Sequence, residues 1–424
     1  MTMARLNIRT QPSCQHPGEA SELSVSDARD YILQTISPVA CHERLALRSA
    51  LNHVLATDII SPIDVPAQAS SAMDGYALSS ADLPTDGIVM LRVTGTAWAG
   101  RSFTETVNRG EAVRIMTGGV MPTGTDTVIM QEHVETVHEQ IRIGSGHRPG
   151  QNVRLAGEDI GQGKPVLHKG KYMLPPDLGL LASLGIGDVH VVRPLRVAFF
   201  SSGDELRAIG DALEEGQIYD SNRYTLYGML KRLGVHIIDM GVVADDRSAI
   251  RHALQSAATH ADAVITSGGV SVGEADYIRE ILQELGEVKF WKIAMKPGRP
   301  LAYGKIRQTP FFGLPGNPVS VMVTFYQFVQ PALKRMMGQT DNRPLRLQAC
   351  CESAIKKRPG RTEFQRGILS ADAEGKLQVH STGQQGSGML SSMSAANCFI
   401  ILPEDSDAVG PGSMVEVEPF EFLM

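Results

Sequence analysis

Apolar positions set the order of elements along this chain. Residues 1 to 22 are polar, carry Pro12, Pro17 and Gly18, and show no period, which predicts a mobile tail. From Ser24 a helical period begins, with Ala28, Tyr31, Ile32 and Ile36 on one face and Ser26 and Asp27 placed to cap. A second short helix is expected from Leu47 to Val54. From about 65 to 160 the period shortens to that of strands, at Val89 to Val93, Ala112 to Met116, Thr127 to Gln131 and Gln140 to Ile143, separated by Gly and Pro turns. Residues 161 to 193 return to a strand and an apolar helix around Leu178 to Leu184, closed by Gly185. The pattern therefore predicts a β-rich domain at 65–160 inserted in a flanking, linking domain made of 23–64 and 161–193.

From 194 to 339 strands and helices alternate. Strands are expected at Arg196 to Phe200, Val235 to Val243 and Ala263 to Thr266, and helices at Arg223 to Leu233, Arg247 to Thr259 and Asp276 to Leu285. This is the pattern of an open α/β sheet with right-handed crossovers, which binds ligands beyond the carboxyl ends of its strands. Residues 340–424 lose the helical period and read as a C-terminal β domain resembling a small barrel. The fold class is thus multidomain α/β plus β.

The 424 residues suffice for several cores, and 42% hydrophobic with 20% charged residues is the balance of a globular enzyme. No apolar run approaches the roughly 18 residues that span a bilayer, and no charged head precedes an apolar core at the N-terminus. Neither a membrane nor nucleic acid is an expected partner, since basic and aromatic residues do not interleave. The five cysteines are odd in number and lack C-x-x-C spacing, which suits a reducing, cytoplasmic setting and argues against structural zinc.

Candidate chemistry gathers in the α/β region. Ser267-Gly268-Gly269, Lys296-Pro297-Gly298-Arg299-Pro300 and Gly313-Leu314-Pro315-Gly316-Asn317-Pro318 each follow or join apolar runs. The first leads through Ser271 and Asp276 into a helix; the third puts Asn317 at a cap and Pro318 at the first position of a long apolar helix, Val319 to Met337. Strand, glycine turn and helix present backbone N–H groups to an anion. Between Glu287 and Asp341 no acid occurs, while Lys289, Lys292, Lys296, Arg299, Lys305, Arg307, Lys334 and Arg335 do, against a chain charge of −6. Lys292 and Lys296 are assigned to the anion, Lys334 and Arg335 to a helix C-terminus. At the strand ends stand Asp204, Glu205, Asp245 and Asp276, either as Mg2+ ligands or as helix caps and solvated carboxylates. Ser71 to Tyr76, Arg114 to Gly119, Gly360 to Gly367 and Gly383 to Gly388 are turns whose spacing alone assigns no role. No H-E-x-x-H motif occurs.

Six motifs in one order carry a resemblance: Ser-Ala-Met-Asp-Gly-Tyr-Ala (71–77), Arg-Ile-Met-Thr-Gly (114–118), Gly-Glu-Asp-Ile (157–160), Gly-Asp-Glu-Leu (203–206), Ser-Gly-Gly-Val-Ser-Val-Gly-Glu-Ala-Asp-Tyr (267–277) and Gly-Leu-Pro-Gly-Asn-Pro-Val-Ser (313–320). From residue 22 onward the chain resembles the molybdopterin molybdenumtransferase family, which includes bacterial MoeA and the E domain of gephyrin. The resemblance implies a molybdopterin-binding α/β domain and a homodimer whose active site is shared between subunits. It implies transfer of molybdenum from molybdate to the dithiolene of adenylylated molybdopterin, with Mg2+ as cofactor and release of AMP. A molybdopterin adenylyltransferase and downstream cofactor acceptors would be its partners. It further implies catalytic roles for Glu205, Asp276, Lys292, Lys296, Asp74 and Thr117, the last two reaching the cleft from the other subunit. Metal would fall to Asp245 and Asp276, and substrate to Ser267, Gly268, Gly269, Ser271, Pro315, Gly316, Asn317, Pro318, Arg299, Arg366 and Ser387. Ser202, Arg299 and Gln384 depart from common family residues without removing a charge. Competing readings are adenylylation of molybdopterin, which a much shorter chain performs, and a molybdopterin-binding carrier or scaffold.

Overall fold

A computed structural model describes residues 22–268, 277–340 and 343–420. The chain divides into two units, one of residues 44–51 and 55–191, the other of residues up to 43, 52–54 and 192 onward. Helix α1 (Val25–Thr35) opens the second unit; its cap is Ser24, whose hydroxyl accepts from Asp27 N, rather than Ser26 or Asp27.

In the first unit the expected helix near Leu47 is a single 3-10 turn, Leu47–Ala50, which ends ahead of Asn52 at φ +64. The β-rich module has strands β1 (Gly75–Leu78), β2 (Ile88–Ala97), β3 (Glu111–Ile115), β4 (Thr127–Met130), β5 (Val134–Val137) and β6 (Gln140–Gly144) in the order β4-β1-β3-β2-β6-β5. Alternation buries Tyr76, Leu78, Ala112 and Ile129 in one core and Ala77, Val113, Ile115 and Val128 in another, so both faces of the sheet are covered. A third core joins Ala50, Leu55 and Ile59 to Leu167, Met173, Leu181 and Leu184. It draws on helix α2 (Pro175–Ser183) and on chain from both sides of the module. Gly185, at φ +72, turns the chain out of α2.

The second unit contains a six-stranded sheet. Its strands β7 (Arg196–Ser202), β8 (His236–Val243), β9 (Ala263–Ser267), β10 (Gly286–Lys292), β12 (Pro300–Ile306) and β13 (Thr309–Leu314) run in the order β8-β7-β9-β13-β12-β10, with the short β11 (Met295–Lys296) outside this sheet. The pairs β7–β8, β7–β9 and β9–β13 are parallel; β12 and β10 run antiparallel. Val197 to Phe200 are fully buried, the continuous apolar run of a strand covered on both faces. The connecting helices include α3 (Ser221–Arg232), α4 (Arg247–His260) and α5 (Tyr277–Leu285).

The long apolar helix that follows is interrupted. It consists of α6 (Pro318–Thr324), a π turn at Phe325–Val329, and α7 (Gln330–Met336). Pro331 cannot donate to Gln327 O and its ring crowds that carbonyl. Arg29 Nε takes the freed carbonyl at 3.1 Å, and the Gln327 amide donates to Glu418 Oε1 at 3.0 Å.

Strands β14 (Leu347–Cys351), β15 (Thr362–Ala371), β16 (Leu377–Ser381), β17 (Cys398–Leu402) and β18 (Ser413–Pro419) form the C-terminal sheet in the order β15-β16-β14-β18-β17. The β15–β17 pairing closes it into a five-stranded barrel around Ala349, Cys351, Val379, Ile400, Leu402 and Val417. β11 extends this sheet, with Lys296 opposite Glu363 on β15.

Candidate anion and metal site at the strand ends

Register places the candidate loops together. Ser201 lies opposite Ser267 and Ser202 opposite Val243, and Ser267 lies opposite Leu314, so the chain leaves β7, β8, β9 and β13 at one mouth. Because β12 runs opposite to both β13 and β10, the start of β12 at Pro300 and the end of β10 at Lys292 occupy this same end, and the 293–299 connection crosses there.

The first glycine turn is tightly built. Gly268 has φ +92 and donates its N–H to Leu314 O at 3.2 Å; a Cβ there would lie 2.6 Å from Ser202 O. Only glycine meets both demands. Gly269, Ser271 and Asp276 lie outside the described residues. At the other turn Asn317 occupies the cap position of α6 but makes no side-chain cap bond; Pro318 takes the first helical position, where no N–H is needed. Ser387 reaches this turn through its backbone, its carbonyl accepting from Val319 N at 3.0 Å.

On the acidic side the two neighbouring aspartates separate. Asp246 caps α4, accepting from Ser248 N at 2.8 Å and its hydroxyl at 2.9 Å, and these bonds lower its pKa. Asp245 is left to the mouth. Burial, then the charges of Asp204 and Glu205, push its carboxyl above the usual aspartate range. Among the described residues no three carboxylate, histidine or cysteine side chains come close enough together to hold a metal ion; Asp204 and Glu205 act on Asp245 through their charge.

The cations are bound more closely than their sequence suggests. Lys296 Nζ sits 3.4 Å from Glu363, which is 5% exposed and also accepts from Gln365. Arg299 pairs with Glu22. Lys292 holds Leu23 N through its carbonyl, and its exposed ammonium has no ion-pair partner among the described residues. Arg366 is 1% exposed. Its guanidinium donates to Gly386 O at 3.0 Å, Gln384 O at 3.4 Å and Ser392 Oγ at 3.0 Å, and burial pushes its pKa down to about 10. It secures the loop that carries Ser387.

In the other unit Asp74 and Thr117 meet. Thr117 N and Oγ1 both donate to Asp74 Oδ1 at 2.7 Å, and these bonds, the backbone one first, hold the carboxyl below its usual range. Gly75 beside it belongs to the packed sheet, where a Cβ would lie 2.0 Å from Ile129 O.

A family model of the MoeA N-terminal region (domains I and II) matches residues 23–185, and one of a probable molybdopterin binding domain matches 198–335. A third, of the MoeA C-terminal region (domain IV), matches 348–420. The molybdopterin molybdenumtransferase of Haemophilus influenzae is 44% identical over 405 residues, covering 95% of this chain and all of that one. The chain belongs to the molybdopterin molybdenumtransferase family. A second member, molybdopterin molybdenumtransferase 2 of Mycobacterium tuberculosis, is 35% identical and covers 88% of this chain and 93% of its own. The crystal structure of the molybdopterin biosynthesis MoeA protein from Pyrococcus horikoshii OT3 aligns with a TM-score of 0.83 at 31% identity, over 94% of this chain and all of that one. The family resemblance read from six motifs therefore holds along the chain.

Within this family member the sequence passes over Asn222 and Asp220, which begin α3. Asn222 Nδ2 donates to Ser267 Oγ at 2.9 Å and to Gly316 O at 2.6 Å, and Asp220 Oδ1 caps the helix. A polar residue on the inward side of a helix's first turn was the available signal. Among the described residues no helix is long and apolar enough to cross a membrane.

Proposed function

We propose that this chain transfers molybdenum from molybdate to the dithiolene of adenylylated molybdopterin, releasing AMP and forming the molybdenum cofactor. The observation that carries the reading is the mouth itself: glycine turns leave adjacent parallel strands, and Asp245 stands just beyond β8 at the same end, under the charges of Asp204 and Glu205. The names of the relatives point to the same chemistry.

Molybdate is a tetrahedral dianion, suited to the exposed ammonium of Lys292 and to donors at the turns. Lys296, tethered to Glu363, places a second ammonium on the connection across the mouth. Asp245 and Asp276 would hold Mg2+, which when bound supplies charge neutralisation at the phosphoryl group as AMP leaves. Glu205 orients groups at the same opening. Arg299 and Arg366 act through the segments they secure, Arg366 by fixing the Ser387 loop. The protein works as a cytoplasmic homodimer, in which the Asp74–Thr117 pair completes the mouth of the partner, and it receives its substrate from a molybdopterin adenylyltransferase.

The test incubates purified protein with adenylylated molybdopterin and molybdate, with and without Mg2+, while AMP and molybdenum cofactor are followed together. Coupled, molybdate-dependent formation of both is expected, with Asp276→Ala abolishing it in a folded protein. Substrate binding without either product would make the chain a carrier or scaffold.

A further inference from the structure

The buried polar groups behind the two glycine turns include one side chain that touches both. Asn222 is 9% exposed, and its Nδ2 is shared between Ser267 Oγ, at the end of β9, and Gly316 O, in the turn after β13. A carbonyl oxygen only accepts, so Gly316 fixes which end of the amide faces the turns, and both amide hydrogens are used there. Among the described residues Asn222 Oδ1 has no partner, nor has Asp220 Oδ2, on a residue 4% exposed, nor the buried Ser201 Oγ. A polar side chain that leaves its own acceptor unpaired while spending both hydrogens on two loops is placed for those loops.

Among the described residues, the two turns are otherwise joined by the backbone contact from Gly268 N to Leu314 O, which lies nearer the sheet. Gly316 is farther out and has no such ladder partner among the described residues. We infer that Asn222 is a positioning residue that fixes the spacing of the two turns, and with it the spacing of the backbone donors that receive the anionic part of the substrate. The inference rests on reading these turns as an anion cradle. The residue type follows from the geometry. Aspartate has the size but no hydrogen to give, leucine has neither donor nor acceptor, and serine is too short to serve two acceptors.

Three variants test this: Asn222→Asp, Asn222→Leu and Ser267→Ala. For each, KM and kcat of molybdate-dependent AMP release are measured and normalised to the folded fraction, beside the unfolding midpoint. Both Asn222 variants should lose about 10²-fold in kcat/KM, the effect of misplacing a substrate by around 1 Å. Most of the loss should appear in KM. Ser267→Ala should lose less, because the bond to Gly316 survives, and combining it with Asn222→Asp should be less than additive. A lower midpoint with unchanged kcat/KM in the folded molecules would make Asn222 merely structural and overturn the inference. Should wild-type protein release no AMP, the proposed function fails separately. The clamp is then read by calorimetric titration with AMP, where equal affinity in wild type and Asn222→Asp would overturn it and weaker binding in the variant would support it.

Discussion

Asp74 and Asp245 are both aspartates to which the family resemblance assigns a role, yet the two units treat them in opposite ways. Asp74 is satisfied: two donors from Thr117 stabilise its charged form and pull its pKa down. Asp245 is unsatisfied, because burial and two neighbouring carboxylates oppose its charge and its pKa rises. The difference teaches which group a bound cation would relieve. A carboxylate already paid for by protein donors is a fixed geometric feature, whereas one held against its own electrostatics gains most when a cation arrives.

The comparison is broken most severely at Asp245. Asp245→Asn should weaken Mg2+ affinity by at least about 10²-fold, the upper range for losing a group that supports a metal site. Metal-free, the same variant should be more stable than wild type. With the folded pKa above the unfolded one, the native state keeps a proton that the unfolded state has released. Stability therefore declines as pH rises from the unfolded toward the folded value, and Asp245→Asn removes that decline. Unfolding midpoints measured against pH in chelator and in Mg2+ separate the two effects; an unchanged Mg2+ response would remove Asp245 from the metal site.

Arg366 extends the comparison to a cation satisfied by carbonyls and a hydroxyl. Arg366→Met should cost about 2–4 kcal/mol, since it strands buried acceptors and leaves poorly filled space. Denaturant unfolding of the purified variant measures this, and a loss of activity without a loss of stability would instead make Arg366 a direct substrate contact. Lys296→Met should cost less, about 1–2 kcal/mol, because it leaves the buried Glu363 with Gln365 as its remaining side-chain donor while the lysine itself is half exposed.

Thr117→Val is the mildest change. It keeps the backbone N–H to Asp74 and removes the hydroxyl. Asp74 contributes stability above its unfolded pKa and loses it as pH falls through its depressed folded value. The variant raises that folded value, so less stability remains to be lost on acidification. An NMR titration of the Asp74 carboxyl should show its midpoint moving upward, and no movement would assign the depression to the backbone bond alone.

Much of the fold was legible because it is local. The strands of the β module and barrel, the α/β alternation, Gly185 beyond α2 and Pro318 at the start of α6 all follow from periodicity and from which residues tolerate which backbone angles. The misses are tertiary or come from single residues. The helix expected over Leu47 to Val54 stops at Ala50, and the apolar helix after Pro318 carries a π turn whose spare carbonyl is taken by Arg29, nearly 300 residues earlier. The basic segment looked unopposed because no acid lies within it. Glu22 and Glu363, from either side in sequence, pair with Arg299 and Lys296 in the fold.

By itself, then, the sequence determined the family and the fold class, because motif order, period and backbone preference are properties of neighbouring residues. Only tertiary structure decided which charges remain available. It spent Asp246 on a helix end and left Asp245 among acids, buried Arg366 beneath a loop, and brought Asn222 between two turns. Charge availability depends on burial and on partners distant in sequence, and a linear pattern contains neither.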